Sequence, residues 1–148
     1  MKQHEILCRS ELGKALIDGA SITNIQGVSP SSGYLVLRRD AFEPIRIPLY
    51  DGSFFLDPLE PQASDAVEVA NSFRFRWLEA YRHIRDVMIN MRYYIVSSVV
   101  DDSIEISIAE KFTDDETAFK FAYSNFNNTV FDIVNNKFIK VNEPQKQV

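Results

Sequence analysis

Apolar residues recur at spacings of three and four between residues 66 and 91, a pattern typical of one face of an α-helix. They are Ala66, Ala70, Phe73, Trp77, Ala80, Ile84, Val87 and Met91. Ser64 is an acceptable N-cap, and the acidic residues Asp65 and Glu68 favour the first turn of a helix. The pattern therefore predicts one long amphipathic helix over residues 64–92, with a length of about 42 Å.

A short stretch inside this helix also fits a strand, because aromatic residues alternate with arginine over residues 73–77. The spacing of three and four continues on both sides of this stretch, so we interpret it as helical. Trp77, the one tryptophan, is then expected to be buried at the centre of the domain. Phe75, Leu78 and Ile89 are expected outside the apolar face.

Two shorter helices are predicted from the same kind of spacing. The first covers residues 4–18 and ends at Gly19, a natural stop. The second covers residues 113–126 and begins with a capping box formed by Thr113 and Glu116. The inner face of the second helix is expected to consist of Phe119, Ala122, Tyr123 and Phe126.

Strands are predicted where β-branched and aromatic residues alternate with polar ones. They cover residues 21–28, 34–38, 45–49, 93–100, 104–108, 130–134 and 138–141, and a short aromatic run lies at 54–56. Strands and helices occur in separate runs, so we expect an α+β fold. A mostly antiparallel sheet of about six to seven short strands would pack against the long helix and the two shorter helices.

The 148 residues are expected to form a single domain. A β-rich part over residues 1–56 is joined by a proline-rich connection, residues 57–62, to a part that contains the long helix, a hairpin, the last helix and a second hairpin over residues 63–141. Residues 142–148 are expected to fray.

Charge and cysteine content restrict the class of protein. A net charge of −5 argues against broad, non-specific nucleic-acid binding, which requires a basic surface. The one cysteine, Cys8, cannot form an intramolecular disulfide and suits a reducing compartment. We see neither an apolar signal sequence nor a long apolar stretch, so we expect a cytoplasmic protein that does not bind a membrane.

Arginines are concentrated on the predicted long helix. Arg74, Arg85 and Arg92 fall within about 20° of one another on a helical projection, beside the apolar face, and Arg82 lies further round. A guanidinium group offers a rigid fork of donors for oxyanions. This arginine ridge could therefore hold phosphates or an acidic partner, or it could pair with the acidic segments of the chain itself.

Two smaller groups of residues carry possible chemistry. Glu79, His83 and Asp86 share the face opposite the apolar one, but a helical metal site usually takes ligands from a second helix, so we interpret them as a solvated face. His4 and Cys8 are one turn apart, and Cys8 is interpreted as an inert buried thiol. Phosphate-loop, nucleophile-elbow and zinc-protease motifs are absent. We expect no catalytic, cofactor-binding or metal-binding residues, and an enzyme is the less favoured class.

The sequence favours a small cytosolic protein that binds another protein, or itself as a homodimer. It could be an inhibitor, an immunity-type or phage-encoded regulator, or an assembly factor. Phe75 would leave apolar area in water unless a partner covers it. The candidate binding residues are Arg74, Phe75, Arg82, Arg85 and Arg92. The alternative is nucleic-acid or nucleotide binding by the arginine ridge, and a small hydrolase is a weaker third interpretation.

Overall fold

The protein combines one antiparallel sheet with helices, as expected for an α+β fold. The structure is a computed structural model that describes residues 2–49, 63–88 and 92–141. Within these residues the elements are α1 (Gln3–Asp18), β1 (Ala20–Thr23), β2 (Tyr34–Leu37), β3 (Ile45–Pro48), α2 (Ala63–His83, continued by a π-helical turn at Ile84–Met88), β4 (Tyr93–Val100), β5 (Ser103–Phe112), α3 (Asp115–Ser124), β6 (Thr129–Asp132) and β7 (Lys137–Lys140).

The sheet is built around the hairpin of β4 and β5, which pair over eight residues from Tyr93↔Glu110 to Val100↔Ser103. The strand order is β1-β4-β5-β2-β6-β7. β3 pairs with the first part of β5, and β2 pairs with its last part. All of these pairings are antiparallel, so the predicted sheet is confirmed.

One face of the sheet carries the helices. Successive strand residues point to opposite faces, and Ile104, Ile106 and Ile108 of β5 lie on the face that α1 and α2 cover. α3 covers the other half of the same face, above Val36 of β2. Trp77 is completely buried in the core between α2 and the sheet, as predicted.

The first helix is confirmed, and the strand after it is shorter than predicted. Gly19 closes α1 with a left-handed φ of 89°, and its N–H donates to Ala15 O. β1 ends at Thr23 rather than at residue 28. The reason is a turn in which Asn24 Oδ1 accepts hydrogen bonds from the N–H groups of Gln26 and Val28, both at 2.9 Å.

The remaining strands agree with the predicted ones to within one or two residues at each end, except that β5 continues to Phe112. The short aromatic run at 54–56, the proline-rich connection at 57–62 and the last residues, 142–148, lie outside the described residues.

α2 is helical through residues 73–77, as predicted, but its last turn is not α-helical. Each π-helical turn contains an extra residue, which rotates the side chains that follow. Ile84 is still buried, whereas Met88 packs on the core in place of Val87, which is 66% exposed. The prediction that Val87 belongs to the apolar face is therefore wrong.

The predicted apolar face of α2 differs from the observed one at two further positions. Ala70 is exposed, although its spacing from Phe73 places it beside that face. Leu78, expected outside the face, is buried. It lies one turn from both Arg74 and Tyr81, which contact α1, so α1 covers α2 on this side.

α3 begins and ends differently from the prediction. Its N-cap is Asp114, whose Oδ2 accepts hydrogen bonds from Thr117 N at 3.0 Å and Oγ1 at 2.9 Å, so the predicted capping box is wrong. Ala122 is buried, as expected. Tyr123 and Phe126 are exposed rather than buried, because the helix turns Tyr123 outward and ends before Phe126.

Candidate protein-binding surface

The most exposed aromatic residue of α2 is Phe75. Its ring is 64% exposed, whereas Phe73 and Trp77 on either side are fully buried. Two residues of an α-helix turn through about 200°, so position 75 points away from the sheet when positions 73 and 77 point into it. The predicted exposure of Phe75 is thereby confirmed.

A polar surface surrounds Phe75. We define the α2 outer face as the residues three, four and seven positions from Phe75 that are exposed or half-buried, together with Phe75 itself. They are Glu68, Asn71, Ser72, Phe75, Glu79 and Arg82. Residues at these spacings share one side of a helix, so the α2 outer face is a continuous strip with one aromatic ring at its centre.

Arg76 borders this strip. Its guanidinium lies 5.7 Å from the centroid of the Phe75 ring, and its Nη1 donates to Glu79 Oε1 at 2.8 Å. A cation over an aromatic ring is attracted by the ring's quadrupole. These two contacts hold the Arg76 guanidinium beside the exposed ring of Phe75.

The arginine ridge is not formed as predicted. Arg74 Nη2 donates to Glu5 of α1 at 3.2 Å, and Arg85 Nε donates to Asp86 at 2.7 Å. Arg92 lies in the turn before β4, and its Nε is 3.2 Å from Glu110 Oε2. The structure therefore ties the three members to three different carboxylates. Arg82, the fourth candidate, is exposed on the α2 outer face.

The contact of Arg92 belongs to a charged cluster that the sequence analysis missed. Arg38 Nη1 donates to Glu110 Oε1 at 2.7 Å and to the Tyr93 hydroxyl at 3.2 Å. The Arg38 guanidinium also lies 5.0 Å from the Phe121 ring centroid, which links α3 to the sheet. The sequence did contain a sign of this cluster. Glu110 follows Ile104, Ile106 and Ile108 at the same alternating spacing, so it places a charged residue on the buried side of β5. We interpret the cluster as structural.

The possible metal ligands on α2, Glu79, His83 and Asp86, line one open cleft beside Phe42. The His83 ring packs against Phe42, with ring centroids 5.6 Å apart, and Asp86 is held by Arg85. Over the described parts of the chain, no three His, Cys, Asp or Glu side chains are placed to hold a metal ion. The structure therefore gives no support to a hydrolase built on Glu79, His83 and Asp86.

The sequence pair of His4 and Cys8 is likewise not a reactive site. The His4 ring packs against Tyr81 of α2, with centroids 5.5 Å apart. Cys8 is buried, and burial raises the pKa of its thiol to about 12. A thiol with this pKa carries almost no thiolate at neutral pH, so Cys8 is unsuited to be a nucleophile.

No helix in the described ranges combines the length and the apolar character that a membrane span needs. No protein-family model, no curated protein and no solved structure matches the chain. What the protein does therefore has to be inferred from its own residues.

Proposed function

We propose that the protein acts by binding another protein molecule through the α2 outer face, with Phe75 as the central contact. The exposure of the Phe75 ring carries this proposal. Burial of a phenylalanine side chain contributes about 1.5–3 kcal/mol relative to leaving it in water. A partner that covers this ring gains that free energy on binding.

The surroundings of Phe75 support an interface. Aromatic residues and arginine are enriched among the residues that contribute most to protein–protein binding. Arg76 lies beside the ring, Arg82 lies two helical turns further along the same strip, and polar residues form the rest of it. Phe73 and Trp77 anchor the same helix in the core, so the surface needs little ordering when it binds.

The other two functions that the sequence left open have less support. A nucleic acid would need several guanidinium groups at one place, and Arg74, Arg85 and Arg92 each contact a carboxylate of the chain at a different place. The net charge of −5 also opposes binding to a polyanion. A metal-dependent hydrolase would need a cluster of metal ligands, and the described residues contain no group of three side chains that could hold a metal ion.

A small binding protein of this kind would regulate its partner by occupying a surface of it, as an inhibitor or an assembly factor does. We place this activity in the cytoplasm. The support is the single buried thiol of Cys8, which suits a reducing compartment.

Site-specific photo-crosslinking in the native cell tests the proposal. A photoreactive phenylalanine analogue replaces Phe75 in one variant and Phe126, a still more exposed phenylalanine just beyond the end of α3, in the control variant. We expect a discrete crosslinked protein species from position 75 and none of the same mass from position 126. Equal crosslinking at both positions, or none at position 75, would contradict the proposed function.

A further inference from the structure

We infer that the α2 outer face fits a second copy of this chain, with the two α2 helices antiparallel and the two-fold axis passing beside Phe75. The inference rests on the proposed function and names the partner of that same surface. It follows from the way in which charges are placed on the two sides of Phe75.

Glu68 and Arg82 are equally far from Phe75, one seven residues before it and the other seven residues after it. Seven residues of α-helix correspond to about 10.5 Å along the axis and return to within about 20° of the same direction. Glu68, Phe75 and Arg82 therefore form a stripe that turns by only about 40° around the helix, with an acid at one end, an aromatic ring at the centre and a base at the other end.

A two-fold axis at Phe75 makes this stripe complementary to itself. In an antiparallel pair of helices, each residue before Phe75 faces the residue that is equally far after Phe75 in the second copy. Glu68 then faces Arg82 of the second copy, and the same contact occurs again on the other side of the axis. Such self-complementarity is what an interface between identical subunits requires.

The inner positions of the strip agree with this arrangement. Asn71 and Glu79 are four residues before and after Phe75, so the side-chain amide of one copy can donate to the carboxylate of the other. The two Phe75 rings meet at the axis and bury each other. A parallel arrangement would instead place Glu68 against Glu68 and Arg82 against Arg82, and like charges in contact oppose binding.

The helical geometry of α2 is regular over the whole stripe. The α-helical part ends at His83, and the π-helical turn begins only at Ile84. Glu68, Phe75 and Arg82 therefore keep their common direction. Arg85 lies within the π-helical turn and falls outside the stripe.

Exchange of the two charges tests the inference. We expect the wild-type protein to show the mass of a dimer by light scattering at tens of micromolar. Glu68→Arg and Arg82→Glu should each weaken the dimer by about tenfold or more, because each substitution places two like-charged pairs across the axis. The double variant restores both attractive pairs, so it should dimerise again. Phe75→Glu should be monomeric.

Mixing provides a stricter form of the same test. An equimolar mixture of the Glu68→Arg and Arg82→Glu variants should form a heterodimer by native mass spectrometry, because both contacts across its axis are attractive. Lys120→Glu, a charge reversal at an exposed position of α3, is the control and should leave the dimer unchanged. Circular dichroism spectra equal to that of the wild type show that the variants are folded.

A monomeric wild type at these concentrations would overturn the inference, and so would a double variant that is as weak as the single ones. If position 75 then still crosslinks to a different protein in the cell, the proposed function stands, and only the inference that the partner is a second copy of this chain is wrong. If position 75 crosslinks to nothing and the wild type is monomeric, both are wrong.

Discussion

Met88 packs against the core of the protein, whereas Val87, its neighbour in the same turn of helix, is 66% exposed. The π-helical turn causes this exchange, so truncation of the two side chains should have unequal effects. Met88→Ala should lower the free energy of unfolding by about 1–2 kcal/mol, and Val87→Ala by less than about 0.5 kcal/mol. Urea unfolding measures both values. The opposite order would mean that α2 is α-helical to its end.

Phe126 has a left-handed backbone, with φ of 60°, at the residue that follows the C-cap of α3. Its N–H donates to Tyr123 O at 3.2 Å and the N–H of Asn127 donates to Ala122 O at 2.8 Å, which is the helix end that glycine favours. Because the ring is 97% exposed, its loss removes no packing. Phe126→Gly should therefore raise the free energy of unfolding by about 0.5–1 kcal/mol.

Phe126→Ala is the control for this prediction. It removes the ring but keeps the strained backbone, so its stability should stay within about 0.5 kcal/mol of the wild type. Urea unfolding of the three proteins gives the comparison. If glycine is no better than alanine at position 126, the left-handed conformation is not a source of strain.

Arg38 neutralises the buried carboxylate of Glu110, whose side chain is only 6% exposed. Arg38→Met should lower the free energy of unfolding by about 3 kcal/mol, because Glu110 then lacks its closest cation. The double variant Arg38→Met/Glu110→Leu should be more stable than Arg38→Met, since it removes both charges together. Thermal and urea unfolding measure the stabilities of the two variants and of the wild type. A double variant that is less stable than Arg38→Met would contradict this account of the cluster.

Stability should depend on the ionisation of Asp40. Hydrogen bonds from Arg38 lower the pKa of the Asp40 carboxyl below its ordinary value of 3.8. A carboxyl whose pKa is lower in the folded state stabilises the protein above its unfolded pKa, and this contribution is lost as the pH falls through the folded pKa.

The substitution Asp40→Asn isolates this contribution. Between about pH 5 and pH 2, the variant should lose stability less steeply than the wild type. Urea unfolding at a series of pH values measures the two slopes. Asp114 and Asp132 also have lowered pKa values, so part of the acid sensitivity should remain. Equal slopes would show that Asp40 makes no such contribution.

Elements with a strong local pattern could be predicted from the sequence. The alternation of residues 93–100 identified β4 with its observed bounds. The spacing of three and four correctly placed Phe73 and Trp77 in the core, even where the aromatic–arginine alternation resembles a strand. Both patterns show which side of an element is buried. This periodicity of apolar residues is the strongest sequence signal of secondary structure.

Features that depend on contacts between distant residues could not be predicted. The π-helical turn was not predicted, because the spacing of three and four continues through Ile84 to Val87 and gives no sign of an extra residue. The predicted arginine ridge was wrong for a related reason: Arg92 lies in the turn before β4 and not on the helix, where it pairs with Glu110 of β5. The exposure of Phe75 was predictable, because it depends on helical geometry alone.

Hydroxyl-radical footprinting of three phenylalanines tests the role of the α2 outer face most directly. Phe73 is fully buried, Phe75 is 64% exposed and Phe126 is 97% exposed, so together they provide an internal scale of accessibility. Oxidation of each is measured by mass spectrometry, in dilute purified protein and in the native cell. We predict that Phe75 is oxidised in dilute solution and protected in the cell, while Phe126 stays reactive and Phe73 stays unreactive in both. Equal oxidation of Phe75 under the two conditions would contradict the proposal that a partner covers this face.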